Sequence, residues 1–403
     1  MADSPKAFGD FLSEQREKIF GRSWAVIPSA LVIASLNVFL FAFDRPWTAS
    51  DGVRNWGDWL FQSVGIIHQP DLLPSFLYSG SVLNLGVLLG GLAAALLSRE
   101  FAIRSAPASE LLKGGMGGLL MGWGAMLSFG CNIGGFFSAL SALSLSGIAM
   151  MLGLGIGAYL STRYLIWENR RILRAGQMPF QSTCDAPPQT ASASKSFRLQ
   201  PIMGFLVLLV LVGAGFLYRQ AGYAAQAIFL FFGVALGVVF QRSRFCLVRA
   251  FREPFMSGES EHTRAAALAL ILSMVGFSIL KATDLKDANE WVFPSFWAGA
   301  LFGGILFGVG MVIAGGCGAG SIWRAGEGHI KLWVAVFFFS MAASMTRLIL
   351  LKAELLTQLG SALFIPNLLG WAGAVSGVAA LMIVWYLIAG WTEHRKHADM
   401  VKF

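Results

Sequence analysis

The strongest chemical signal in the chain is a cysteine that stands at the same place in two copies of a glycine-rich stretch. The first copy runs from Gly117 to Gly134 and the second from Gly303 to Gly320, and they align without a gap. Gly117, Gly118, Leu120, Gly122, Gly124, Gly130, Cys131 and Gly134 fall on Gly303, Gly304, Leu306, Gly308, Gly310, Gly316, Cys317 and Gly320. The shift from Gly117 to Gly303 is close to half of the 403 residues, which reads as an internal duplication. Each half then carries one apolar helix that ends on a thiol. A thiol buried in an apolar passage stays protonated and offers a weak S–H donor. Backbone N–H groups at the start of a half-helix add favourable dipoles for an anion. Weak contacts in series suit conduction, because a site that binds too tightly does not release.

The elements that position these thiols must be membrane helices. Of the residues, 56% are hydrophobic and 13% charged, mean hydropathy is +0.65, and the charges gather in short blocks between long apolar runs. The expected class is an all-α integral membrane protein. Most of the net charge of +8 lies in loops beside apolar spans, which points to topology and lipid head groups rather than nucleic acid. Four cysteines, Cys131, Cys184, Cys246 and Cys317, show neither paired zinc spacing nor a disulfide framework. Cys184, in the linker, reads as an exposed thiol without a role.

Residues 1–23 form an N-terminal interfacial segment, with Ser4-Pro5 as a helix start and Phe8, Phe11, Leu12 and Ile19 at helical spacing. The first repeat occupies 24–166. Its predicted spans lie near Trp24–Phe43, Val82–Ser98, the glycine-rich helix and Gly147–Ile166. Residues 44–80, with Trp47, Trp56 and Trp59, read as a long interfacial loop on the outer side. The linker 167–200 carries Arg170, Arg171, Arg174, Lys195 and Arg198 and is expected in the cytoplasm. The second repeat occupies 201–391, with spans near 201–217, 224–240, 265–280, 296–314, 332–351 and 368–387. The tail, 392–403, is again cytoplasmic.

About ten crossings satisfy this pattern, and one extra crossing before the second copy sets the two glycine-rich helices in opposite directions. Inverted repeats would bring Cys131 and Cys317 together from opposite sides along an hourglass path. From Gly117 to Phe129 a helix rises about 20 Å at about 1.5 Å per residue, short of a full crossing. Gly130-Cys131-Asn132 then breaks it, and 134–144 can continue as a second half-helix. Broken helices at membrane depth line polar or wet cavities, since lipid cannot satisfy the freed backbone groups.

A third thiol, Cys246, lies in Gln241-Arg242-Ser243-Arg244-Phe245-Cys246-Leu247-Val248-Arg249, which loosely echoes Ser98 to Arg104 with Ala102 in the place of Cys246. Arg244 and Arg249 read equally as topogenic charges or as an electropositive vestibule beside a thiol. The acidic residues fall in predicted loops or tails, which leaves no intramembrane carboxylate or histidine chain for proton or metal-ion relay. No cofactor or metal motif is visible.

Phe129-Gly130-Cys131-Asn132-Ile133-Gly134-Gly135-Phe136-Phe137, Phe245-Cys246-Leu247-Val248-Arg249-Ala250-Phe251-Arg252 and Ala314-Gly315-Gly316-Cys317-Gly318-Ala319-Gly320 with Arg324 to Gly328 resemble the cysteine motifs of the YeeE/YedE family of bacterial sulfur-transport membrane proteins, nearest its longer YedE-type branch. The resemblance runs from about residue 24 to about residue 390. It implies an hourglass fold in the bacterial inner membrane and import of thiosulfate. It assigns relay roles to Cys131, Cys246 and Cys317. Their neighbours Gly130, Asn132, Gly316 and Gly318 join them as candidate site residues, and Arg244 and Arg249 are candidates to attract or retain the anion. The resemblance also implies a cytoplasmic sulfurtransferase-type partner, while a link of YedE-type members to selenium metabolism leaves a selenium species open as substrate. The competing class is a membrane thiol enzyme that carries sulfur as a persulfide on one of the three cysteines. A scaffold subunit of a sulfur-metabolism complex is the third reading.

Overall fold

The computed structural model describes residue 17 and residues 19–174 and 195–400. Most of the N-terminal segment, and Cys184 with its surroundings, lie outside the described residues. In hydrocarbon every backbone N–H and C=O needs an internal partner, and the apolar runs accordingly fold as helices. These are α1 (Val26–Phe43), α2 (Ala49–Ser63), α3 (Ser79–Leu97), α4 (Ala108–Leu127), α5 (Asn132–Ser141, mostly a π-helix), α6 (Leu145–Arg174), α7 (Lys195–Gln220), α8 (Ala224–Ser243), α9 (Leu247–Arg252), α10 (Glu261–Ala282), α11 (Ala298–Ala314), α12 (Gly318–Gly326), α13 (Ile330–Lys352) and α14 (Ile365–Met400). Among the described residues nine helices are long and apolar enough to span, or ten with the pair α4 and α5, which is bent by 41° at its break.

Loop contacts sort the helix ends onto two faces. On the first, the Asp44 carbonyl accepts from Lys286, the Phe76 carbonyl from Tyr218, and the Leu363 carbonyl from the Leu145 N–H. On the second, the Arg22 carbonyl accepts from Arg242, the Phe101 carbonyl from Gln200, and Glu393 pairs with Arg264. The chain before α1, the ends of α6 and α7 that flank the linker, and the far part of α14 all meet this second, more basic face.

Elements α1 to α6 recur in order as α8 to α13, and the two series pack reciprocally. Gly118 of α4 faces Ala335 of α13, as Gly153 of α6 faces Leu301 of α11. The two glycine-rich helices run antiparallel, because Gly117 meets Gly310 while Gly124 meets Gly303. A Cβ on Gly124 would lie 2.5 Å from the Gly303 carbonyl oxygen and 2.6 Å from the Phe307 nitrogen, so the absence of side chains is what lets these backbones touch. Gly124→Ala should therefore lower stability by about 1–3 kcal/mol. Gly155→Ala, whose Cβ would meet nothing within 4 Å, should not. Thermal melts of the two variants in detergent check this.

The structure corrects three expectations about the first half. Residues 44–80 are not a continuous interfacial loop: α2 occupies the middle, and Trp47 is buried. Small residues explain the burial, since Gly52 lies against Gly80 of α3 and Gly57 against Ser340 of α13. Asp51 and Asp58 are consequently on a packed helix rather than in a loop, and Glu110 lies in the first turn of α4 rather than in the loop before it. The counterpart of Cys246 is not Ala102 but Thr48, since each is the N-cap of the short helix that follows the first crossing of its repeat. Ala102 instead sits in the loop that meets Gly328.

Candidate functional site

Four short helices begin on residues that meet at the centre of the molecule: Thr48 before α2, Cys131 before α5, Cys246 before α9 and Cys317 before α12. The repeated sequence builds the same turn twice. Cys131 has φ −72° and ψ −178°, and Cys317 has φ −80° and ψ −178°. The Gly130 N–H returns to the Ala125 carbonyl as the Gly316 N–H returns to Met311, and the Gly135 and Ser321 N–H groups close onto the carbonyls of Cys131 and Cys317. Two residues before each cysteine the chain enters the left-handed region, at Phe129 (φ 61°) and Gly315 (φ 79°). Glycine takes that conformation at no cost, whereas a residue with a Cβ is strained there by about 1–2 kcal/mol. The first repeat thus holds a phenylalanine where its backbone favours glycine.

The three thiols form no disulfide and are buried. The Cys131 sulfur lies 3.7 Å from Thr48 Oγ1, its N–H donates to Ser50 Oγ (3.1 Å), and the Thr48 and Ser50 hydroxyls are 2.9 Å apart. Cys317 Sγ accepts the Gly320 N–H (3.3 Å) and has Cys246, Asn132 and Cys131 as neighbours. The repeats are therefore equivalent in contact as well as in sequence: Cys131 pairs with Thr48 as Cys317 pairs with Cys246. Gly318 lies between the pairs, where an added Cβ would stand 3.5 Å from Cys131 Cβ. Asn132 is fully buried, and neither its Oδ1 nor its Nδ2 has a conventional hydrogen-bond partner, leaving the Cys317 thiol as its polar neighbour. Buried amides are seldom left so. No group of His, Cys, Asp and Glu that could hold a metal exists among the described residues.

Arg244 and Arg249 stand in ion pairs. Arg244, left-handed at φ 56° after α8, reaches Glu100 (2.7 Å) and Glu327 (2.9 Å) and lies over the Trp323 ring. Gln241 donates to both carboxylates, and Arg242 reaches Glu100. Glu327, which follows α12 outside the spans, is fully buried. Burial pushes its carboxyl up, but Arg244 and His329 outweigh that and hold it at about 2. Burial also keeps His329 below its usual range, against the pull of Glu327. Arg249 pairs with Glu253 and Glu259. These clusters tie the second face together around the ends of the helices that Cys246 and Cys317 serve.

Toward the first face a cavity of about 200 Å³ opens above Thr48 and Ser50, walled by Phe129, Trp291 and Phe293 and charged by Asp51, Arg54 and Arg347. Phe129 stacks on Phe293 at 6.2 Å, so the strained residue supplies part of this wall. None of the residues of this vestibule is among the candidates drawn from sequence. The alignment of Phe129 with Gly315 is the one signal that singles any of them out.

Nine or ten crossings among the described residues, with antiparallel glycine-rich helices and short helices that begin on buried thiols, define a multi-pass membrane protein of the transporter type. The chain belongs to the sulphur transport family, the YeeE/YedE family, whose model matches residues 6–160 and 242–402. It is 28% identical to the probable transporter YedE of Escherichia coli (strain K12) over 324 residues, 77% of each chain. It is 37% identical to the thiosulfate transporter TsuA of the same organism over 115 residues, 28% of this chain and 32% of that one. With TsuA of Spirochaeta thermophila it shares 36% over 118 residues, 29% of this chain and 35% of that one. The family and these relatives are transporters, which sets the chain among transporters and not enzymes.

Proposed function

We propose that this protein imports thiosulfate, or a closely related sulfur-bearing anion, across the bacterial inner membrane, the first face being outside and the second, with the N-terminus, linker and C-terminus, cytoplasmic. Residues 24–166 and 201–391 act as the two repeats of the hourglass. The observation that carries the reading is the convergence of Cys131 and Cys317 beside the Asn132 amide, whose polar neighbour is the Cys317 thiol. Family membership and the names of the shorter relatives agree with it.

In this mechanism the anion descends from the vestibule to Thr48 and Cys131, passes Gly318, and reaches Cys317 and Cys246. Neutral thiols donate S–H hydrogen bonds to it in turn, and the Asn132 amide donates an N–H. Backbone N–H groups opened by Gly130, Gly316 and Gly318 at the half-helix starts supply dipoles without a fixed charge that would trap it. Arg244 and Arg249, held by carboxylates, act at the cytoplasmic exit, where a soluble sulfurtransferase-type protein would receive the anion.

Gly318→Ala tests the route itself. Its methyl meets Phe339, Ala49 and Cys131 at ordinary contact distances of 3.4–3.5 Å, so the variant should fold normally. Transport should fall about tenfold, since the methyl fills the space between the thiol pairs; unchanged uptake at unchanged melting temperature would place the route elsewhere. Uptake of labelled thiosulfate, sulfate and selenite by vesicles of purified protein tests the substrate. Entry of thiosulfate ahead of the other two is the expected result, and entry of selenite alone would assign the protein to selenium metabolism.

A further inference from the structure

We infer that Arg347 is the anion-capture residue of the vestibule on the first face, holding the oxygens of a small oxyanion while its remaining end points toward Thr48 and Cys131. The inference builds on the transport reading and adds a recognition step at a residue outside the cysteine motifs. Asp51 is shared by Arg45, Arg54 and the Tyr78 hydroxyl. Asp58 is held by Arg54 (2.8 Å) and the Ser344 hydroxyl (2.6 Å). Arg347, half-buried on α13, makes no hydrogen bond or ion pair with a described residue and senses Arg54, Asp51 and Asp58 only at longer range. The wall therefore carries one guanidinium beyond what its carboxylates occupy.

The other parts of the cavity match such a ligand. A space of about 200 Å³ suits a small anion with part of its hydration shell. Thr48 and Ser50 at its floor offer hydroxyls, and both also touch Cys131, so an anion there is one contact from the first thiol. Phe129, Trp291 and Phe293 exclude water on the remaining sides and strengthen the attraction of a guanidinium for an anion. The left-handed Phe129 keeps this apolar wall at a backbone position where glycine serves the other repeat. A planar guanidinium forms paired hydrogen bonds with two oxygens of one anion, which a lysine matches in charge but not in geometry.

The test uses purified full-length protein, with Arg347→Gln, Arg347→Lys and wild type compared in two assays. Calorimetric titration in detergent with thiosulfate should give binding that weakens about tenfold in Arg347→Gln and less in Arg347→Lys. In vesicles Arg347→Gln should raise the half-saturating thiosulfate concentration by a similar factor, with the maximal rate kept near wild type. Unchanged melting temperatures would show that both variants fold. Binding that needs Arg347 in a wild-type protein that transports no thiosulfate would uphold the capture site and remove the transport reading. Normal transport with an unaltered half-saturation in Arg347→Gln would do the reverse. Wild-type protein that binds no thiosulfate would overturn the capture site directly.

Discussion

Replacing Cys131 or Cys317 by alanine is expected to slow thiosulfate entry about ten- to a hundredfold while leaving the protein folded. The size of the loss follows from the position of each thiol. Both are buried at the turn that opens a half-helix, and removing a buried donor leaves a passing anion short of a hydrogen bond at a cost of about 1–3 kcal/mol. Because the two cysteines are equivalent by the repeat, their losses should be similar. Cys246→Ala should cost less, since the matching place in the first repeat is filled by Thr48, a hydroxyl. Serine at 131 or 317 should keep more of the rate than alanine, because it still donates. A persulfide carrier would lose everything with serine, so initial rates for the alanine and serine series separate weak-donor passage from covalent transfer.

The second large effect lies in the charge cluster on the second face. Glu327→Gln should lower stability on the order of 3 kcal/mol, because it breaks a buried ion pair and removes one of the two carboxylates that hold Arg244. The pH dependence has a definite sign. Glu327 sits at about 2 in the folded protein against an ordinary 4.5. Its contribution is therefore complete above about pH 4.5 and is lost as the pH falls from there toward 2. The gap between wild type and Glu327→Gln should be wide at pH 7 and narrow in that acid window. His329, kept below its usual range by burial, adds a loss of stability in both proteins as the pH drops below about 6.5. Melting temperatures of the two proteins from pH 7 down to pH 3 check both statements.

Much of this fold is legible in residue order, because hydrocarbon restricts the backbone to helices and leaves the signal in apolar length and loop charge. The spans, the breaks after Gly130 and Gly316, and the opposed directions of the two glycine-rich helices all follow from that. What stayed hidden depends on partners distant in the chain. Helix α2 reads as an interfacial loop because its charges and tryptophans look surface-exposed, yet Gly52 and Gly57 let it enter between α3 and α13. Arg244 reads as a bare cation because Glu100 and Glu327, its partners, lie 144 and 83 residues away. Thr48 goes unnoticed because a threonine does not announce itself as the counterpart of a cysteine. Arg347 lies in an apolar helix, and only the folded wall around it shows that the carboxylates are taken.

The most direct measurement is uptake of thiosulfate carrying distinguishable labels on its two sulfur atoms into vesicles of purified protein, read by the ratio of labels that appears inside. Passage of the intact anion along hydrogen-bonding thiols predicts that both labels enter at the same rate and that the ratio equals the one supplied. Selective entry of the terminal sulfur, with the sulfonate label left outside, would contradict that account and identify covalent transfer through a cysteine.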